Sequence, residues 1–129
     1  MTGKPRSRPR TRSSSPRLPA DLKRGIEAAQ DKKAVDLVLL DLRKTSAFTD
    51  FFVICTGTST RQVQAIADAV QEALRKRRVR PSLVEGYERG EWVLVDYFDF
   101  IFHIFTPATR EFYALERLWG DAERRELSA

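Results

Sequence analysis

One cysteine, one histidine and one methionine are all that these 129 residues supply. Cys55, alone within "FFVICTG", has no intrachain partner for a disulfide, so packing must hold the fold together. A reducing, cytoplasmic setting follows, and Cys55 itself reads as a small buried hydrophobe. One thiol and the distant His103 do not make a metal site, and no cofactor is called for. No apolar run approaches the roughly 20 residues needed to cross a bilayer, and no N-terminal apolar block resembles a secretion signal. No membrane association is therefore expected.

Acidic residues are missing from one stretch. Residues 1–17, "MTGKPRSRPRTRSSSPR", hold Lys4, Arg6, Arg8, Arg10, Arg12 and Arg17 and no acid. The chain's net charge of +5 therefore belongs to this segment, and residues 18–129 together carry −1. With Pro, Ser and Arg and nothing to bury, residues 1–17 read as a disordered basic tail. The tail is a solubilising extension or an arm that touches RNA phosphates. Its prolines and lack of an apolar face argue against an organelle transit peptide, although its Arg and Ser content fits one. Residues 85–116 set Glu85, Glu88, Glu91, Asp96, Asp99, Glu111 and Glu116 against Arg89 and Arg110, a net −5. Five bases crowd into "RKRRVR" (75–80). The acidic, aromatic-rich half suits a basic partner. The basic corner suits the negative end of a helix dipole or, as the alternative, RNA phosphates.

The hydrophobic pattern orders the elements as helix, two strands, helix, three strands, helix. After Pro19, Leu22, Ile26 and Ala29 share a helical stripe that Gly25 weakens. "VDLVLLDLR" (35–43) is a mostly apolar strand, and "DFFVICT" (50–56) is apolar throughout, as a strand covered on both faces would be. Ser59 and Gln62 have capping-box spacing, and Val63, Ile66, Ala67, Val70 and Leu74 follow at helical intervals until Pro81. A short strand at 82–87 precedes strands at 91–97 and 100–106, too close for anything but a tight hairpin around Phe98 and Asp99. Thr106 and Pro107 open a last helix with Phe112, Leu115, Leu118 and Trp119 as its apolar stripe, ended by Gly120. Residues 122–129 are polar and are expected to be a flexible end. The domain at 18–121 is thus an α/β fold, a five-stranded mixed sheet with flanking helices.

The hairpin holds the unusual chemistry. Strand alternation puts Val93, Val95, Tyr97, Phe100, Phe102 and Ile104 on one face, which should be core. The other face pairs Trp92 with Phe105, Leu94 with His103, and Asp96 with Ile101. That face is either a second buried layer, with His103 hydrogen-bonded, or a surface left partly open for another protein. The second reading draws on Trp92, because Trp and Tyr are enriched as interface anchors. An Asp96–His103 acid–base pair lacks a nucleophile and an orienting group. "TGTSTRQ" (56–62) lacks the lysine and glycine spacing of a phosphate loop, so helix capping accounts for it.

"DFFVICTGTSTRQVQAIAD", "VEGYERGEWVLVDYFDFIFHIF" and "REFYALERLWGD" together resemble the ribosomal silencing factor (RsfS, or Iojap-like) family over roughly residues 18–121. Phe98 departs from the pattern, since the family usually has Gly before this Asp. The resemblance implies a non-catalytic bacterial or organellar protein on a nucleotidyltransferase-like fold. Related transferases carry a Gly-Ser turn and an Asp-x-Asp pair, but here "GTST" leads into "AIADAV" without a second acid, so no activity is carried over. The resemblance further implies binding to large-subunit ribosomal protein number fourteen, a steric block to small-subunit joining when nutrients are short, and a homodimer when free. Its docking region maps onto the hairpin, with Trp92 as main anchor. By charge, Asp96, Asp99 and Glu116 are expected to pair with a partner's Arg or Lys, with Tyr87 and Tyr113 as further contacts. His103, Ser59 and Gln62 are expected to be structural support. The alternatives are a nucleotide-using enzyme surviving on the old fold and an RNA-binding protein whose tail contacts rRNA.

Overall fold

The computed structural model describes residues 18–127, so the basic tail expected at 1–17 lies outside the described residues. Ten elements follow in order: α1 (Ala20–Asp31), β1 (Val35–Asp41), β2 (Phe51–Thr56), α2 (Thr60–Arg75), β3 (Leu83–Glu85), β4 (Trp92–Asp96), β5 (Phe100–Phe105), α3 (Pro107–Tyr113), α4 (Leu115–Leu118) and β6 (Glu123–Glu126). The sheet runs β3-β4-β5-β2-β1-β6. Only β2 and β5 pair in parallel, and every other neighbouring pair is antiparallel.

The two faces of the sheet are covered differently. Leu37, Leu39, Phe51, Val53, Cys55, Val93, Val95, Phe102 and Ile104 face α1 and α2, whose Leu22, Ile26, Val63, Ile66, Val70 and Leu74 complete the main core. Gly25 is what lets α1 close on the sheet, because a Cβ there would sit 2.6 Å from Phe102 Cζ. The opposite face gathers Val38, Leu40, Leu42, Phe52, Ile54 and Phe105 under Leu115, Trp119 and Ala122. β2 lies between the two layers and is buried at all six positions, as its unbroken apolar run predicts.

Three expectations are corrected here. The sheet has six strands rather than five. Residues 123–126 are not a flexible end: they pair with β1 from Val38↔Glu126 to Asp41↔Glu123, and Leu127 N–H donates to Leu37 O at 2.8 Å. "ERRE" has no apolar alternation because β6 is an edge strand with all four residues exposed, so backbone hydrogen bonds to β1 and the ion pair of Arg124 with Glu116 hold it. The last helix is broken at Ala114 (φ 47), which divides its stripe. Leu115 and Trp119 pack inward, while Phe112 and Leu118 face solvent.

Candidate functional site

The hairpin has the register its sequence predicts, with Trp92↔Phe105, Leu94↔His103 and Asp96↔Ile101 on the second face. Phe105 and His103 are buried there, and Trp92 is half-buried. Trp92 Nε1–H donates to His103 Nδ1 at 3.1 Å. Accepting that bond requires a bare Nδ1, so the proton of the neutral ring sits on Nε2. Nε2 is sealed away without a hydrogen-bond partner in the structure. Burial pushes the imidazole down to about 3, so the ring is uncharged at neutral pH. Phe52 meets it edge-on at 4.5 Å. His103 belongs to the core and props Trp92 from beneath.

Asp96 does not reach His103. Its Oδ1 accepts the Phe98 N–H at 2.7 Å and closes the hairpin turn, where Phe98 takes φ 76. Asp99 anchors that turn to the neighbouring strand, its carbonyl accepting from Asp50 N–H at 2.9 Å and Phe51 N–H at 3.3 Å. Tyr87 Oη donates to Asp68 Oδ2 at 3.1 Å, and Gln64 Nε2 holds the Tyr87 carbonyl at 2.7 Å. The 86–90 turn is thereby pinned to α2.

The segment after the hairpin forms the rim. The left-handed step at Ala114 turns Phe112 and Tyr113 outward, 78% and 54% exposed, and Leu118 is 74% exposed. Tyr113 packs on Trp92 with ring centroids 4.8 Å apart, and Phe112 meets Tyr113 at 4.9 Å. Trp92 in turn stacks on buried Phe105 at 4.9 Å. An aromatic platform thus runs from solvent at Phe112 into the core at Phe105. Sequence periodicity missed Phe112 and Leu118 as surface groups because it treated 107–119 as one continuous helix.

Glu116 is committed inside the molecule. Arg110 grips it with Nε and Nη2 at 3.0 and 2.9 Å, and Arg124 Nη1 reaches it at 3.1 Å. The Arg110 hydrogen bonds, foremost, hold its carboxyl below the usual carboxylate range. Arg110 Nη1 also donates to Asp36 O at 2.7 Å and Thr56 Oγ1 at 2.9 Å. One guanidinium therefore ties α3, α4, the bulged start of β1 and the end of β2 together. A pocket of about 580 Å³ opens beside this clamp. Two arginines of the fold itself already pair with Glu116.

Ser59 and Gln62 support structure. Ser59 Oγ accepts Gln62 N–H at 3.1 Å, capping α2. Gln62 Oε1 takes the Thr58 N–H at 2.7 Å, one residue earlier than in a standard capping box. Its Nε2 donates to the carbonyls of Lys32 and Lys33 at 3.1 and 3.2 Å. The "TGTSTRQ" turn uses its side chains within the fold.

Among the described residues no group of three or more His, Cys, Asp or Glu is arranged to hold a metal ion, and no helix is long and apolar enough to cross a membrane.

A family profile described as "Ribosomal silencing factor during starvation" matches residues 15–129. The ribosomal silencing factor RsfS of Halalkalibacterium halodurans is 42% identical over 106 residues, covering 82% of this chain and 91% of that protein. RsfS of Bacillus subtilis is 40% identical over 106 residues, covering 82% and 90%. A crystal structure of a Chromobacterium violaceum protein superposes with a TM-score of 0.75 at 38% identity, covering 84% of this chain and 91% of that one. A mixed α/β sheet with flanking helices is thus common to this chain and a solved relative. With the match spanning the whole described domain, the chain belongs to the RsfS family of ribosomal silencing factors.

Proposed function

We propose that this protein acts by occupancy. It docks on the large ribosomal subunit through the platform of Trp92, Tyr113 and Phe112, contacts large-subunit ribosomal protein number fourteen, and so keeps the small subunit from joining when nutrients are short. The observation that supports this reading is the aromatic run from exposed Phe112 through Tyr113 and Trp92 to buried Phe105. An aromatic rooted in a core is held in one orientation, so less side-chain freedom is lost when a partner covers it. Asp96 and Asp99, at the far end of the hairpin, supply negative charge for a basic ribosomal protein. Tyr87 is a peripheral contact, and Glu116 serves by positioning α4 rather than by touching the partner. Silencing of this kind needs no bond to be made or broken.

Sedimentation of the purified chain with separated large subunits tests the reading. Wild-type protein should travel with the large subunit and reduce the yield of joined ribosomes. Phe112→Ala is the discriminating variant, since a side chain 78% exposed contributes little to folding. It should unfold at the wild-type temperature yet bind about tenfold more weakly, as loss of an interface aromatic costs roughly 1–2 kcal/mol. Trp92→Ala should lose binding too, but with destabilisation, because Trp92 also packs on Phe105 and bonds His103. Undiminished binding by both variants would remove the platform from the mechanism.

A further inference from the structure

Phe98 occupies the tip of the β4–β5 hairpin at φ 76, a backbone conformation that suits glycine and that a bulky side chain rarely adopts. The same residue is 53% exposed. A strained residue with an outward ring invites a functional reading. Phe48 lies at the same end of the sheet, in the loop between β1 and β2, and is wholly exposed. The two loops are joined by the Asp50 N–H and Phe51 N–H bonds to Asp99 O. Asp96 Oδ1 holds the Phe98 amide at 2.7 Å, so the tip is a constrained turn.

We propose that Phe98 and Phe48 form a second apolar anchor that inserts into the same basic ribosomal protein that the Trp92 platform engages. This rests on the docking reading and extends it, by naming a distant part of the footprint. Trp92 and Phe98 are six residues apart along nearly extended chain, a separation of roughly 20 Å. A standard interface, at about 800 Å² per partner, is wide enough to cover both. Asp96 lies on the platform's face of the sheet and bonds the Phe98 amide, so the two regions are continuous. The partner's chemistry follows from the surroundings. Apolar rings beside Asp96 fit a surface with an apolar recess bordered by Arg or Lys.

Phe98→Gly gives the proposal a test with opposite signs, because glycine adopts φ 76 without steric cost. The full chain is assayed by thermal unfolding and by sedimentation with separated large subunits. Phe98→Gly should raise the melting temperature by roughly 2–5 °C and weaken large-subunit binding by about tenfold or more. Phe48→Ser should weaken binding without moving the melting temperature. A Phe98→Gly protein that melts higher but binds as wild type overturns the second anchor, and loss of binding in Phe112→Ala would still uphold the platform. A Phe98→Gly protein that melts lower also overturns it, since the ring would then be holding the turn. Wild-type chain that fails to sediment with large subunits removes the docking reading itself.

Discussion

His103 lies under the platform as a neutral ring whose Nδ1 takes the Trp92 N–H. Burial pushes the imidazole down to about 3 from an ordinary value near 6.5, and a proton on Nδ1 would also abolish that bond. Because the folded chain resists this proton and the unfolded chain accepts it, the stabilisation is fully present above the unfolded value. It is lost progressively as pH falls from about 6.5 toward 3, at up to about 1.4 kcal/mol per pH unit. Denaturant unfolding between pH 6.5 and 4.5 should show this slope in the wild type. In His103→Gln, which keeps an acceptor but cannot titrate, the slope over that range should flatten. From sequence alone His103 could be read as core or as surface, because alternation assigns it to a face without saying what covers the face. What decides is the later segment bearing Trp119, 16 residues on, whose ring meets Phe52 at 6.1 Å.

The break between α3 and α4 is the element on which the platform depends. Ala114 takes φ 47 and thereby aims Phe112 and Tyr113 outward while Leu115 and Trp119 turn in. Arg110 keeps that geometry by joining Glu116, Asp36 O and Thr56 Oγ1. Arg110→Ala would leave Glu116 with only Arg124 and the Asp36 carbonyl without its donor. It should cost about 2–3 kcal/mol in denaturant unfolding and weaken large-subunit binding as the rim loosens. Ala114→Gly, which relieves the left-handed strain, should instead leave binding intact. The hairpin register was legible because a two-residue turn and strict alternation allow one pairing. The Ala114 break was not, since alanine there reads as a strong helix former. β6 was not either, because "ERRE" has no apolar signal and its pairing comes from the free edge of β1. The intramolecular partners of Glu116 were not legible either, because Arg110 and Arg124 lie six and eight residues away, on elements that only the folded chain brings together.

At the scale of the whole molecule, charge is segregated. Residues 1–17 hold six cations and no acid, while 85–116 carry −5. The five bases of 75–80 are partly engaged, Arg75 with Glu72 at 2.8 Å and Arg77 with Asp21 at 2.6 Å. Removing residues 1–17 would change the net charge from +5 to −1. The shortened chain should remain bound to large subunits, since no platform residue is touched. It should be less soluble near neutral pH, where a net charge close to zero favours association. Sedimentation over a salt series, beside a turbidity measurement, checks both. A binding loss on deletion would transfer part of the affinity to rRNA phosphates.

Cys55 lies in the middle of β2 with no exposed surface, and burial lifts its thiol to about 12. In the native state it is therefore neither ionised nor reachable, and oxidants pass it by. Because β2 is hydrogen-bonded to a neighbour on each side and covered on both faces, a reagent meets this sulfur only when the centre of the sheet opens. The rate at which a thiol dye reacts becomes a clock for that opening, already present in the natural chain and independent of the rim where a ribosome would sit.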